Sequence, residues 1–175
     1  MLDRLPKFID PLLFAERGGE LMGALEPAEF VRLTDILADL SGKVDIQLFF
    51  LKENKLASLT GEVTANLHLK CQNCLEAIAW QSKTSLKLGL VESIDEANLL
   101  SSEYEPLLVK NEEKISLNTL VEDELLLMIP NFPKHEHNCL NLKRSQLEDS
   151  TVLVDEKKPN NPFSVLAKLK ISGDK

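Results

Sequence analysis

The chain has 175 residues, and 43% of them are hydrophobic, which is enough for one domain with a substantial core. No run of about 18 uninterrupted apolar residues occurs, so the sequence predicts no membrane span. The net charge is −8, and no basic stripe is long enough to follow a phosphate backbone, which disfavours autonomous binding of RNA or DNA. With three cysteines and no segment typical of a secretory signal, we expect a reducing, cytoplasmic location without disulfides.

The first predicted element is a helix over residues 27–40. Apolar residues recur there every three or four positions, at Phe30, Leu33, Leu37 and Leu40. Pro27 suits the first turn of a helix, and the Ser41-Gly42 pair suits its end.

Three segments with alternating apolar residues follow and predict strands, at residues 44–51, 56–70 and 77–91. The last two are separated only by a short loop containing CQNC, which predicts a long hairpin at the centre of an antiparallel sheet. A shorter strand is predicted at residues 105–109.

The clearest helix begins after Ser116, a suitable N-cap, and ends before Pro130. Its apolar stripe predicts the buried face, whereas Glu122, Asp123 and Glu124 are expected to point mostly outward. Residues 143–160 are polar and predict a flexible linker, and residues 161–175 predict a short amphipathic helix.

These elements predict an α+β fold, with an antiparallel β-sheet, a central long hairpin and two or three packed helices. The expected organisation is an α+β domain over residues 1–142, followed by the linker and the tail helix.

Cys71 and Cys74 form a C-x-x-C pair in a loop between two predicted strands. Such a pair can direct two thiolates at one tetrahedral zinc ion. The remaining ligands would be Cys139 and His137, with His135 as the alternative to His137. Two other interpretations stay open, namely buried thiols that only pack, and a redox pair. The strand predicted after the loop disfavours the redox pair, which normally sits at the start of a helix.

Acidic residues are concentrated in residues 91–124, which hold ten acids and two lysines and so account for the whole net charge. This segment suits a basic protein, and a solvated acidic loop is the alternative. The predicted partner-binding residues in it are Glu103, Tyr104, Glu105, Glu112, Glu113, Glu122 and Asp123. In the tail helix, Phe163, Leu166 and Leu169 share one side and are predicted to dock on a partner.

Catalytic residues are not assigned. The chain has three histidines, two of them in one loop, and no serine or cysteine hydrolase signature. We therefore expect a protein that is not an enzyme.

Four separated motifs, in order, resemble the YceD family, the large ribosomal RNA subunit accumulation proteins of bacteria. They are CQNCLEAI after an alternating strand, YEPLLV, ISLNTLVEDELLLMIPNFPKH and KPNNPFSVLAKLK. The resemblance runs from about residue 44 to the end, and the N-terminal third matches only loosely. Many members of that family carry a second cysteine pair downstream, where this chain has HEHNC.

The resemblance implies a role in the accumulation of large-subunit (23S) ribosomal RNA. Because the chain is acidic, we expect indirect action through a basic ribosomal protein or a ribosome-assembly factor. Two alternatives are a direct RNA-binding protein with a zinc knuckle and an RNA-processing metalloenzyme.

Overall fold

The structure is a computed structural model and describes residues 5–54, 56–110 and 112–139. In chain order its elements are β1 (Phe8–Ile9), α1 (Pro11–Glu16), β2 (Glu20–Leu25), a single 3₁₀ turn (Pro27–Glu29), β3 (Leu37–Glu53), β4 (Leu56–Lys70), β5 (Ala77–Val91), α2 (Ile94–Leu99), β6 (Glu105–Leu108), β7 (Ile115–Ser116) and α3 (Leu117–Met128).

The main sheet has five strands in the order β2-β3-β4-β5-β6. Its first four strands are mutually antiparallel, and β6 pairs in parallel with the end of β5. Strands β1 and β7 form a separate antiparallel pair. The predicted α+β class and the long β4–β5 hairpin are therefore confirmed.

One face of the sheet is buried, and the alternation of the strands sets which residues face it. In β4, Val63, Ala65, Leu67 and Leu69 are buried, and the residues between them are partly exposed. Ala15 of α1 and the apolar stripe of α3 belong to the same hydrophobic cluster. Full burial of one such aliphatic side chain contributes about 1.5–3 kcal/mol, so this shared face holds the two helices on the sheet.

The predicted helix at residues 27–40 is wrong. Helical geometry is limited to the 3₁₀ turn, residues 31–36 form turns, and β3 already begins at Leu37. Phe30, Leu33 and Leu37 are buried as expected, but in a folded-back turn in which the Leu37 N–H donates to Leu33 O at 3.0 Å. Pairing of Leu37 with Leu69 across the sheet outweighs the local helical pattern.

Gly42 lies in β3 and does not end a helix. The β3–β4 register shifts between Leu37 and Gly42, and Gly42 has a φ of +106°. A side chain at this position would also collide with the carbonyl oxygen of Asn66 on β4. Glycine is therefore required by the bulge, since only glycine adopts this backbone geometry at low cost.

The remaining predicted elements match the structure closely. Residues 44–51 lie inside β3, and the strands predicted at 56–70 and 77–91 are β4 and β5. The strand predicted at 105–109 is β6. Helix α3 begins as expected, with the Ser116 side chain accepting a hydrogen bond from the Thr119 N–H at 3.2 Å.

The predicted linker and tail helix, residues 143–175, lie outside the described residues. Among the described residues, none of the helices has the length and apolar character needed to cross a membrane.

Candidate metal centre and acidic surface

The loop between β4 and β5 folds into a tight knuckle that turns two thiols inward. The Leu75 N–H donates to Cys71 O, and the Cys71 N–H donates to Glu76 O, both at 2.9 Å. Leu75 takes a left-handed φ of +66°, which reverses the chain within the loop. As a result Cys71 and Cys74 are both buried, although their neighbours Gln72 and Asn73 are exposed.

The loop after α3 lies against this knuckle. The Gln72 N–H donates to Pro133 O at 2.9 Å, which fixes the start of the loop. Further along, Cys139 is buried with its Sγ 3.8 Å from Cys71 Sγ, and His135 Nδ1 lies 3.4 Å from Cys74 Sγ. The four candidate ligand atoms all lie within 4.8 Å of one another.

Two of these distances have the lengths expected around a tetrahedral zinc ion. With bonds of about 2.3 Å to sulfur and about 2.0–2.1 Å to nitrogen, ligand atoms at tetrahedral corners are about 3.8 Å (S to S) and about 3.5 Å (S to N) apart. The contacts between Cys71 and Cys139 and between Cys74 and His135 have these lengths. Three thiols and one imidazole also form a donor set that zinc takes in structural sites.

The orientation of His135 fits ligation as well. Its Nε2 lies 3.2 Å from the carbonyl oxygen of Ala77. A carbonyl only accepts, so Nε2 carries the proton and the neutral ring presents the Nδ1 lone pair to the thiols. A backbone carbonyl that fixes the tautomer in this way is the usual support for a metal-binding histidine.

The thiols differ in how easily they lose a proton. Burial alone would raise the pKa of Cys71, but backbone N–H groups of Cys74, His135 and Asn73 stabilise the thiolate and lower its pKa to about 5. The pKa of Cys139 is raised by burial and by its hydrogen bonds to Cys74 and Cys71. The knuckle thus already favours a thiolate, the form that binds metal.

The structure brings His135, and not His137, to the three cysteines. His137 is exposed and stacks beside His135, with 4.8 Å between ring centroids. Choosing His137 assumed an extended loop in which alternate residues share a side, whereas the chain bends at residues 136–137. The alternative ligand of the sequence analysis is therefore the one in the cluster.

Glu122 does not point outward as predicted. It is buried, and one carboxylate oxygen accepts hydrogen bonds from the N–H groups of Arg32 and Leu33 at 2.6 and 3.3 Å. The other oxygen accepts from Arg32 Nε at 2.8 Å. Asp123 is exposed but also pairs with Arg32, with 2.7 Å between Asp123 Oδ1 and Arg32 Nη1. The Glu122 carboxylate is consequently held inside the fold, and its role in partner binding stays a prediction.

The other predicted contact residues fall into two groups. Glu103, Glu105, Glu112 and Glu113 are exposed, and Tyr104 is half-buried. Phe163, Leu166 and Leu169 lie outside the described residues. Glu124 was expected to point mostly outward and was not among the predicted contact residues. It is half-buried, and its pKa is raised by this burial and then by the charges of Glu105 and Asp123. The three consecutive acids at residues 122–124 are the sequence feature that could have predicted this crowding of negative charge.

A serine, a histidine and an aspartate also meet on the surface, at Ser41, His68 and Asp39. Ser41 Oγ and Asp39 Oδ1 lie 2.8 and 3.1 Å from the same ring nitrogen, His68 Nδ1. A nucleophile and its orienting acid use opposite nitrogens of the base, so this cluster lacks the geometry of a catalytic triad. His68 is absent from the group of candidate metal ligands among the described residues.

Comparison with known proteins agrees with the motif resemblance. A protein-family model described as "Large ribosomal RNA subunit accumulation protein YceD" matches residues 59–170, from β4 through the knuckle and beyond α3. A relative from Haemophilus influenzae with the same description is 31% identical over 170 residues, which cover 95% of this chain and 97% of the relative. No solved structure matches the chain. The chain therefore belongs to the YceD family of large ribosomal RNA subunit accumulation proteins.

Proposed function

We propose that this chain supports the accumulation of large-subunit (23S) ribosomal RNA by holding a basic protein, and that it does so without catalysis. The partner is a ribosomal protein or a ribosome-assembly factor, and the site of action is the cytoplasm. The family description supports the RNA role. The observation that carries the protein-mediated route is the concentration of the whole net charge of −8 in residues 91–124.

Direct capture of RNA is disfavoured by how the lysines are used. On the exposed face of the sheet, Lys43 pairs with Asp45 at 2.8 Å, and Lys83 pairs with Glu62 at 2.9 Å. A lysine that already pairs with a carboxylate must give up that ion pair to bind a phosphate, so it adds little to the affinity for RNA. Affinity for nucleic acid grows with the number of phosphates neutralised, so these two lysines should contribute little to the binding of bare RNA.

The knuckle, in this proposal, binds a structural zinc ion through Cys71, Cys74, His135 and Cys139. Four protein ligands complete a tetrahedral coordination and leave no open position for water or substrate, which separates structural from catalytic zinc. Four protein ligands therefore favour a structural zinc ion that cross-links two parts of the chain, and they disfavour an RNA-processing metalloenzyme. The ion would join the β4–β5 hairpin to the loop after α3, two parts of the fold that are distant in sequence.

The test is purification of the tagged chain from its native cells, with and without nuclease treatment. A basic protein should remain bound after the RNA is removed. In a variant with Glu103, Glu105, Glu112 and Glu113 changed to glutamine, recovery of that protein should fall, since four charges of the acidic segment are lost. Unchanged recovery by the variant would refute the electrostatic route. Tight, salt-sensitive binding of protein-free ribosomal RNA to the purified chain would favour direct RNA recognition instead.

A further inference from the structure

Strand β5 has one edge that is largely unpaired within the described residues. Residues 77–90 of β5 pair with β4, from Ala77 opposite Lys70 to Leu90 opposite Ala57. On the other side β6 covers only the last four residues, Leu88–Val91. Residues 78–87 therefore present about 30 Å of strand edge on which every second residue directs its backbone N–H and C=O away from β4.

A groove of about 350 Å³ lies on this edge where β6 stops. Its lining includes both Thr84 and Ser85, whose side chains point to opposite faces of the sheet. A depression lined from both faces runs along the edge of a strand and not over one face. The groove thus lies beside β5 where a longer β6 would run if that strand began before Glu105.

Helix α3 contributes two apolar side chains to the lining of the groove. They lie at the end of the helix, where Leu127 is 78% exposed and Met128 is half-buried. The Ser82 hydroxyl contacts Met128 Sδ at 3.6 Å, which places the helix end beside the strand. Leu127 thus lies near the unpaired backbone N–H and C=O groups of β5. Together they can provide side-chain contacts and main-chain hydrogen bonds to an extended segment.

The groove is also acidic. Glu103, Glu105 and Glu124 line it, and Lys87 is the cation among its lining residues. Crowding is evident at Glu124, whose pKa is raised by partial burial and then by the charges of Glu105 and Asp123. Cationic side chains placed here would relieve that repulsion, so the groove complements a basic segment.

We propose that residues 78–87 of β5 are a docking edge onto which an extended, basic segment of the partner protein adds as a strand. Main-chain hydrogen bonds to β5 supply affinity, apolar side chains contact Leu127, and lysine or arginine side chains meet Glu103, Glu105 and Glu124. The inference rests on the proposed function for the basic character of the partner. It adds where that partner binds and in which conformation.

The test uses the full chain and a synthetic peptide of alternating valine and lysine, about as long as the free edge. Its control is the same peptide with alternate backbone nitrogens methylated, which keeps the charge but removes strand pairing. Amide hydrogen exchange is measured on both mixtures. Alternate amides of residues 78–87 should exchange quickly in the free chain and become protected with the first peptide only. Equal binding of the methylated peptide would overturn the proposal.

Matched variants locate the contact. Leu127→Lys should weaken binding of the alternating peptide by roughly tenfold, as expected for a central apolar contact. Leu99→Lys makes the same change at a side chain that is 85% exposed outside the groove, and it should leave the affinity unchanged. Equal effects of the two variants would overturn the docking edge.

Charge variants separate this inference from the proposed function. Changing Glu103 and Glu105 to glutamine should weaken peptide binding more than the same change at Glu112 and Glu113, which lie outside the groove. If both pairs weaken binding equally, the partner is held by overall charge and the docking edge is refuted. Protection of residues 78–87 in the chain alone also refutes it, because the edge is then filled by another part of this chain or by a second copy.

Discussion

Arg32 and Glu122 are joined by two hydrogen bonds although they are 90 positions apart in the sequence. The Glu122 carboxylate accepts from the backbone N–H of Arg32 at 2.6 Å and from its Nε at 2.8 Å. Glu122 belongs to α3, whereas Arg32 lies in the turns that precede β3. The contact therefore fixes the turn segment to the helix.

Glu122→Gln is expected to lower the free energy of unfolding by about 2 kcal/mol. The amide loses the charge that attracts the Arg32 guanidinium, and an NH₂ group can face the N–H donors that the carboxylate satisfied. Chemical denaturation of the variant and the parent chain measures the difference.

Asp123→Asn is the matched control, because it removes a charge that also pairs with Arg32 but whose side chain is 55% exposed. Its effect should stay below about 0.5 kcal/mol, as for surface ion pairs in general. Similar losses in the two variants would contradict the view that the buried position of Glu122 makes the difference.

Much of the sheet was predictable from the sequence because strand alternation is a local signal. The pattern of β4 and β5 identifies their bounds and their buried faces, and Ser116 marks the start of α3 by its capping side chain. The turns around Arg32 were not predictable. Their apolar spacing is helical, and both the cross-strand pairing of Leu37 and the bond to Glu122 are long-range interactions.

The candidate metal site was predictable in part for a related reason. The spacing of Cys71 and Cys74 in a short loop is a local signal, and Cys139 was the remaining cysteine. The choice between His135 and His137 depends on the bend of a loop without regular structure. The loop is positioned by long-range contacts such as the hydrogen bond from Gln72 N to Pro133 O, and a local sequence pattern does not predict such contacts.

His135→Ala is expected to lower the zinc content of the purified chain and its melting temperature. The variant removes one of four ligands, and loss of a structural zinc ion removes binding free energy that also stabilises the fold. Elemental analysis gives the metal content, and thermal unfolding with and without a chelator gives the stability.

His137→Ala is the control for that experiment, since it removes an exposed imidazole from the same loop. It should retain zinc and show the same chelator-induced drop in melting temperature as the parent chain. A parent chain that contains no zinc, or in which a chelator leaves the melting temperature unchanged, would contradict the structural metal site.

Asp39→Asn is expected to lower the melting temperature at pH 7, and this loss should shrink as the pH falls below the ordinary carboxyl pKa of 3.8. Hydrogen bonds from the Ser41 hydroxyl and N–H, followed by the contact with His68, lower the pKa of Asp39 from its ordinary value of 3.8. A carboxyl with a lowered folded-state pKa stabilises the fold above its unfolded pKa, and this contribution disappears as the pH falls through the folded value. Asp39 is exposed, so the shift should be on the order of 1 °C. A difference between variant and parent that persists in acid would refute this assignment.

Glu124→Gln is expected to have the opposite sign and to raise the melting temperature at pH 7 by about 1–2 °C. Partial burial, then the charges of Glu105 and Asp123, raise the pKa of Glu124 above its ordinary value of 4.5. A carboxyl with a raised folded-state pKa destabilises the fold when it is ionised, so the penalty is present above the folded pKa and vanishes below the unfolded one. The advantage of the variant should therefore disappear below about pH 4. Glu105→Gln should give part of the same gain, because it removes one of the two repelling charges. A variant that is less stable than the parent at pH 7 would show that Glu124 makes a favourable contact that outweighs the repulsion.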